Sequence, residues 1–473
     1  MAPNRIIIDT DPGVDDVLAL LLAFSAKPEE LEVLMLSLTF GNVEVQNCLR
    51  NVVTLFHHIE KERAWRKENG RPEGFETLMA NKPIVAVGAE EPLAEHMMVA
   101  DFFHGKDGLG GIHSSHPHLS PTETWKSLFL PAPANLSREE VAELQKVEDT
   151  HSLFTPSLKP AHEEMLQILR DNEPDTITIV AIGPLTNLAL AAAKDPEAFL
   201  RVKEVLIMGG AVDAPGNPPD LSRIYSASTL SIPVPNFNLI KQPDTPLRRE
   251  LNIRNQMTPG AEFNTYADSV AAARVYALTS PNPKTTMPPV IGGGKKQLSP
   301  YPENLSRQLK IKLFPLDITE PHLLPRTLYT THTTTPPLPT SPLVHWTTLF
   351  LTSTFSKILS LSPSSLDPST VGLELHDPLP IWYCMSPSLA GWDFIESEDL
   401  RVETSGQWTR GCCVVDRRGR DVGMGEGDLD DEVVGDAGGW RDARRGNRVG
   451  RCVGSPGVER FAGVLLERVF GEV

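Results

Sequence analysis

Short apolar runs alternate with helix-patterned stretches through the first two-thirds of this chain, several of them ending in a turn rich in glycine, asparagine or aspartate. "RIIID", from Arg5, reads as a buried strand, followed by an apolar helix over Val17–Phe24. "EVLMLSLTFGN" is a second strand that closes on Gly41 and Asn42, with helical spacing in "QNCLRNVVTLFHHIE" after it. "KPIVAVGAEEP", "DTITIVAIGPLTNLALAAAK" and "VKEVLIMGGA" repeat the theme. Strands that are apolar throughout must be covered on both faces, and strand–helix alternation brings successive strands in parallel. The expected fold class is therefore α/β, a mostly parallel central sheet flanked by helices, with inserted irregular segments. Ligands of such sheets bind beyond the carboxyl ends of the strands. The turn after "RIIID", Asn42, Ile182-Gly183 and Met208 all fall at those ends.

The first of these turns, "DTDPGVDD", carries Asp9, Asp11, Asp15 and Asp16 within eight residues. Carboxylates this close repel, so the cluster needs a cause. A hard divalent cation, which takes oxygen ligands and cancels the repulsion, is one. A phosphoryl-transfer aspartate pair of the haloacid-dehalogenase type is another, but Gly13 stands where that pattern has Thr or Val. Capping of a helix N-terminus accounts for one or two acidic residues, not four. An EF-hand loop is excluded, because Leu20 occupies the place of its bidentate glutamate.

The rest of the chain is less regular. Of its 42 prolines, many crowd "PNPKTTMPPVIGGGKKQLSPYPE" and "THTTTPPLPTSP". The reading is one domain over residues 1–420, with disordered insertions near 218–257, 282–310 and 330–342, then a flexible tail over 421–473 that ends in a short amphipathic helix, "GVERFAGVLLERVFG". A formal charge of −17 with no basic run argues against nucleic acid as a partner. Five cysteines without a CxxC pair fit a reducing, cytoplasmic setting. A first strand starting so near Met1 leaves no room for a cleaved leader, and no apolar window is long enough for a membrane span.

These motifs together resemble the nucleoside hydrolases of the inosine-uridine-preferring type. The likeness rests on "DTDPGVDD", "TFGNV" (Thr39), "FHGKDGLGG" (Phe103), "AIGPLTNLA" (Ala181), "MGGAVDAPGN" (Met208), "TPGAEFNTYADSVAA" (Thr258), "FPLDIT" (Phe314), "LELHDPL" (Leu373) and "VETSGQWTRGCCVVDRR" (Val402), in family order. The resemblance implies a Ca²⁺ cofactor held by Asp11, Asp16, the main-chain oxygen of Ile182, and Asp377. It implies ribose contacts from Asp15, Asn42, Met208, Asn217, Glu262 and Asn264, and places His376 near the leaving base. The implied partner is a small ribonucleoside, and the implied assembly a homodimer or homotetramer.

The chemistry agrees with those roles. Hydrolysis of an N-glycosidic bond needs a poised water, a stabilised oxocarbenium-like sugar and help for the departing base. Asp11 is the candidate base for the water, and His376, titrating near neutrality, the candidate acid. The alternative function is a catalytically inactive calcium- or nucleoside-binding homologue, its ribose site disrupted by the 218–257 insert that parts Asn217 from Glu262. Three further features find blander readings. "HGKDGLGG" lacks the P-loop pattern and matches a mobile loop near the pocket mouth in the family. His113, His116 and His118 could hold a transition metal but lie in a loop. Cys412-Cys413 reads as core.

Overall fold

The computed structural model describes residues 2–131, 137–217, 257–288, 298–361, 367–419, 423 and 436–471. Its strands are β1 (Asn4–Thr10), β2 (Leu31–Leu38), β3 (Ile84–Val87), β4 (Thr155–Pro156), β5 (Ile177–Ala181), β6 (Glu204–Met208), β7 (Ile311–Phe314), β8 (Leu323–Pro325), β9 (Gly372–Glu374), β10 (Asp393–Glu398), β11 (Leu400–Val402), β12 (Cys413–Val415) and β13 (Val449–Gly454). Nine of them form one sheet in the order β10-β13-β7-β6-β5-β1-β2-β3-β4. Every pairing is parallel except β10 with β13. The expected fold class is thus the observed one.

β1 shows why the sheet forms. Ile6, Ile7 and Ile8 are all fully buried. Alternation sends Ile6 and Ile8 into one core layer, with helices α1 (Val14–Phe24) and α2 (Val45–Glu68). Ile7 points into the opposite layer, beside Met35, Ile179 and Ile207. Each buried isoleucine contributes roughly 1.5–3 kcal/mol, and its β-branched side chain suits the pleat. All eleven residues of α1 are buried, as a helix enclosed within a covered layer must be. α1 begins at Val14, three residues before the apolar run: Asp16 accepts from the Gly13 N–H at 3.0 Å, so the acidic turn itself opens the helix.

Strand order reverses at β1, which lies between β2 and β5. Such a switch point opens a crevice at the carboxyl ends. Asp9 to Asp16, Thr39 to Asn42, and Ile182 converge there, with Met208 one strand further on.

The later chain departs from expectation. Within the described part of the expected tail, Val449–Gly454 is an interior strand, parallel to β7 and antiparallel to β10. "VGRCVG" is short, with glycine and arginine inside it, and nothing local marks it as strand. It is held by tertiary packing, with Val449 and Cys452 fully buried and Arg451 bound to Glu398 at 2.6 and 2.9 Å. The terminal helix forms as Val458–Phe470. The segment near 330–342 is likewise ordered, with a helix over Arg326–Thr334, a turn and a second helix from Pro342. Threonine-rich sequence is a poor helix former, but buried Tyr329 and Thr333 override propensity. Of 282–310, the described part is irregular yet packed, with Leu298, Tyr301 and Leu305 against the core. Residues 218–256 of the first expected insertion lie outside the described residues. Among the described residues, no helix is long and apolar enough to cross a membrane.

Candidate functional site

Asp16 is the hub of the Asp-rich turn. Its Oδ1 accepts from Thr10 Oγ1 at 2.6 Å and from the Asp11 N–H at 3.2 Å. Its Oδ2 accepts from Gly13 N–H at 3.0 Å and from Asn42 Nδ2 at 2.8 Å. Asn42 also donates its backbone N–H to Asp11 Oδ2 at 2.6 Å. One asparagine at the end of β2 thereby cross-links the two carboxylates expected to bind metal. Asp11 is boxed in by backbone. A Cβ on Gly41 would collide with its Oδ2, and one on Gly183 would stand 2.5 Å from its Oδ1. That Oδ1 is buried without a hydrogen-bond partner.

Asp377, at the start of the helix Pro378–Met385, closes the cluster from the far end of the chain. Carboxylate oxygens of Asp15, Asp16 and Asp377 lie within 4.8 Å of one another. Asp11 stands beside this trio and is tied to it through Asn42, which bonds both Asp11 and Asp16. Burial, then repulsion from Asp16, raises Asp11 well above the carboxylate range; burial and repulsion from Asp15, Asp16 and Asp11 do the same to Asp377. Asp15 is pushed up to about 6 by burial and Asp16, and burial raises Asp16 despite its donors. Four acids held so near, all disfavoured as anions, fit a hard divalent cation. A charge of +2 would offset the burial and mutual repulsion that raise them, and the unpartnered Asp11 Oδ1 offers it a ligand.

The other expected residues gather on the same rim. Asn264 Nδ2 lies 3.2 Å from the Ile182 oxygen and 3.4 Å from the Met208 oxygen, spanning the ends of β5 and β6. The Ile182 oxygen keeps a second lone pair. Glu262 turns inward: it accepts from the N–H groups of Asn264, Thr265 and Gly210 at 2.6, 2.9 and 2.8 Å, capping the short helix Phe263–Ala267. Asn217 stays with this group. Its N–H donates to Ala261 O at 3.0 Å, and its Oδ1 accepts from the Phe263 N–H at 2.6 Å. Asp317, from "FPLDIT", cradles the approach to it, accepting from the N–H groups of Val212, Asp213 and Ala214 at 2.9, 2.5 and 3.0 Å.

Residues on both sides of the 218–256 insert are therefore tied to each other directly, and Gly216 N–H adds a 3.0 Å bond to Pro259 O. Excising 218–256 and joining the ends with a short glycine–serine linker is expected to leave the thermal midpoint within a few degrees of the full chain's, since these ties already close the loop. A midpoint lowered much further would show that the insert carries part of the fold.

His376 donates or accepts at both nitrogens, with Thr319 Oγ1 at 2.8 Å from Nδ1 and Glu374 Oε2 at 2.9 Å from Nε2. Burial opposes its charged form, but Glu374, with Asp15 and Glu262 beyond, outweighs that and raises its pKa. Glu374 and Thr319 escaped the sequence reading, although each lies inside a quoted motif. So did His104, whose Nδ1 accepts from the Val14 N–H at 3.3 Å. Burial, then His376, drives its pKa to about 3 and keeps it neutral. Asp9 faces away: Ser37 Oγ and Asn187 Nδ2 donate to its Oδ1, the latter at 2.8 Å, fastening β2 and "PLTN" behind the cluster. The three loop histidines do not assemble. Both ring nitrogens of His113 are engaged, by Asn51 and Ser120, while His116 is half-buried and His118 exposed, their rings 6.0 Å apart. Cys413 is buried and its thiol pKa pushed above the ordinary range by burial, as core placement requires.

Known proteins resemble this chain. The model of the family described as inosine-uridine preferring nucleoside hydrolase matches residues 6–436. A probable uridine nucleosidase 1 of Oryza sativa subsp. japonica is 31% identical over 272 residues, 55% of this chain and 66% of that protein. A non-specific ribonucleoside hydrolase RihC of Klebsiella pneumoniae (strain 342) is 26% identical over 415 residues, 88% of this chain and 89% of its own length. Among solved structures, a plant nucleoside hydrolase, the PpNRh1 enzyme, superposes with a TM-score of 0.58 at 21% identity, covering 99% of this chain and 100% of that one. This chain spans somewhat less than two thirds of the rice relative's length, and the structural likeness concerns the fold.

Proposed function

The chain belongs to the inosine-uridine preferring nucleoside hydrolase family, and we propose that it hydrolyses the N-glycosidic bond of ribonucleosides to free base and ribose, with Ca²⁺ as cofactor. The observation that carries this reading is the set of buried carboxylates, Asp11, Asp15, Asp16 and Asp377, at the switch point of the sheet. Asp11, Asp16, the Ile182 oxygen and Asp377 would hold the ion. Bound there, Ca²⁺ supplies Lewis-acid polarisation of water and of the ribose hydroxyls.

The chain's own groups do the rest. Asp11 Oδ1, with no protein partner, takes the proton of the attacking water. Asp15 accepts from ribose hydroxyls, and Asn42, Asn217 and Asn264, with the main chain at Met208 and the Glu262 cap, shape the pocket around the sugar. His376, whose charged form Glu374 favours, delivers a proton toward the departing base. His104 roofs the turn as a neutral group. The bonds of Asn217 to Ala261 and Phe263 count against the inactive-homologue reading, since the insert leaves that contact whole. The family resemblance also supports a cytoplasmic homodimer or homotetramer.

The test is direct. Purified protein is incubated with inosine, uridine, cytidine and adenosine, with and without EDTA, and reducing sugar is measured. Ribose release that EDTA abolishes and Ca²⁺ restores is expected. Calcium binding without ribose release from any nucleoside would sink the hydrolase reading.

A further inference from the structure

Asn51 lies fully buried on α2, where an amide is costly unless each of its groups is met. All are. Its Nδ2 donates to Pro12 O at 2.8 Å, in the Asp-rich turn, and to Asp107 O at 2.8 Å, in the "HGKDGLGG" loop. Two carbonyl acceptors there fix the amide's orientation, so Oδ1 faces His113 Nε2 at 2.7 Å. His113 is neutral, because burial and then Arg50 push its pKa to about 4. A neutral ring has one proton. Oδ1 can only accept, so Nε2 carries that proton, and Nδ1 accepts from Ser120 Oγ at 2.5 Å.

The loop is built to meet this tie. The Asp107 carboxylate accepts from the N–H groups of Leu109, Gly111 and His113 at 3.0, 2.7 and 3.0 Å, folding 107–113 into a rigid knot. Gly108 has φ +83°, and a Cβ on it would sit 2.8 Å from Asn51 Nδ2. Only glycine lets the loop close on the amide without strain. Asn51 thus bonds both the turn that bears Asp11 and the loop that bears His104.

We propose that Asn51 is a positioning residue for the hydrolysis, fastening the 104–113 loop to the Asp-rich turn with His113 as its brace, so that His104 is held against Val14 above the site. This rests on the functional reading given above, but the fastening itself is a property of the fold. Losing it frees a roof over the bound nucleoside rather than removing a reacting group. The deficit falls on substrate capture.

The experiment uses the full chain with Asn51→Ala and, separately, His113→Phe, which keeps ring volume and loses both bonds. Hydrogen exchange across 105–113 is expected to quicken on the order of tenfold in Asn51→Ala, and less in His113→Phe, with β1 and β5 unchanged. KM for the best nucleoside is expected to rise about tenfold while kcat stays within about threefold, as for a loosened closing loop. Unchanged exchange over 105–113 in Asn51→Ala, or a fall in kcat at constant KM, would overturn the assignment. If Asn51→Ala does not fold, His113→Phe decides it on the same two readouts. If the wild-type chain hydrolyses no nucleoside, the functional reading fails, and the exchange data still decide the fastening.

Discussion

Asp11→Ala is expected to lower kcat by about a thousandfold or more, the loss typical of a removed general base, while leaving the protein folded. The second half of that expectation is the unusual one, because Asp11 is fully buried and buried polar residues are normally costly to delete. Two terms oppose each other. Truncation orphans the Asn42 N–H, which now donates at 2.6 Å, at a cost of about 1–3 kcal/mol. Against this, it removes a carboxylate that burial and the charges of Asp16, Asp15 and Asp9 all disfavour. The two act in opposite directions, so the thermal midpoint without metal should move less than the lost bond alone would dictate. Asp11→Asn keeps an oxygen for Asn42 and should be the more stable of the two, yet equally inactive. Single-turnover assays beside thermal melts check both. An Asp11→Ala protein with a tenth of wild-type kcat would overturn the base assignment.

Metal removal should produce the second large effect, and its pH dependence has a definite sign. Without a cation, Asp15 is held up to about 6, Asp9 and Asp268 to about 7, chiefly by burial, with Glu95 adding to the last. These folded-state values exceed the unfolded carboxylate value near 4, so between them the native chain binds more protons than the unfolded one. The stability that these carboxylates contribute then falls as pH rises through roughly 4 to 7, while His57, His58, His104 and His113, whose pKa values burial lowers, act in the opposite direction. The gain in melting temperature on adding Ca²⁺ to EDTA-treated protein is therefore expected to be several degrees larger at pH 8 than at pH 5. The ion neutralises the cluster and binds only the native state, whereas Asp9 and Asp268, which lie outside the cluster against Ser37 and Thr186, keep their own slope. Melting curves at both pH values, with EDTA and with Ca²⁺, provide the check. A Ca²⁺ stabilisation that shrinks as pH rises would mean that the acidic cluster is not held as described.

Much of this architecture was legible because it is locally encoded. β1, β2, β5 and β6 are apolar runs closed by turn residues, and their parallel stacking follows from alternation alone. The Asp-rich turn announced itself by crowding. What stayed hidden depends on distance in the chain. β13 has no periodicity, and only its pairing with β7 and β10 makes it a strand. Asp377 reached the site through a family resemblance, since nothing in "HDP" itself points across the chain to Asp15 and Asp16. Glu374 and Thr319 matter because they meet His376 at its two nitrogens, a geometry no spacing rule conveys. Asp9, unexplained as one of four aspartates, acquires its reason from Ser37 and Asn187, which belong to two other motifs.

The interior position of β13 also bears on how the chain finds its fold. Ile311 pairs with Val449, so this part of the sheet closes a very long loop, and β10 has no seat until β13 arrives. Until then β7 is an open, hydrophobic edge, the kind of surface that recruits neighbouring chains. Assembly order here runs against synthesis order, and non-local parallel pairing is slow. Refolding yield should thus be limited by late docking of Val449–Gly454, with aggregation as its competitor.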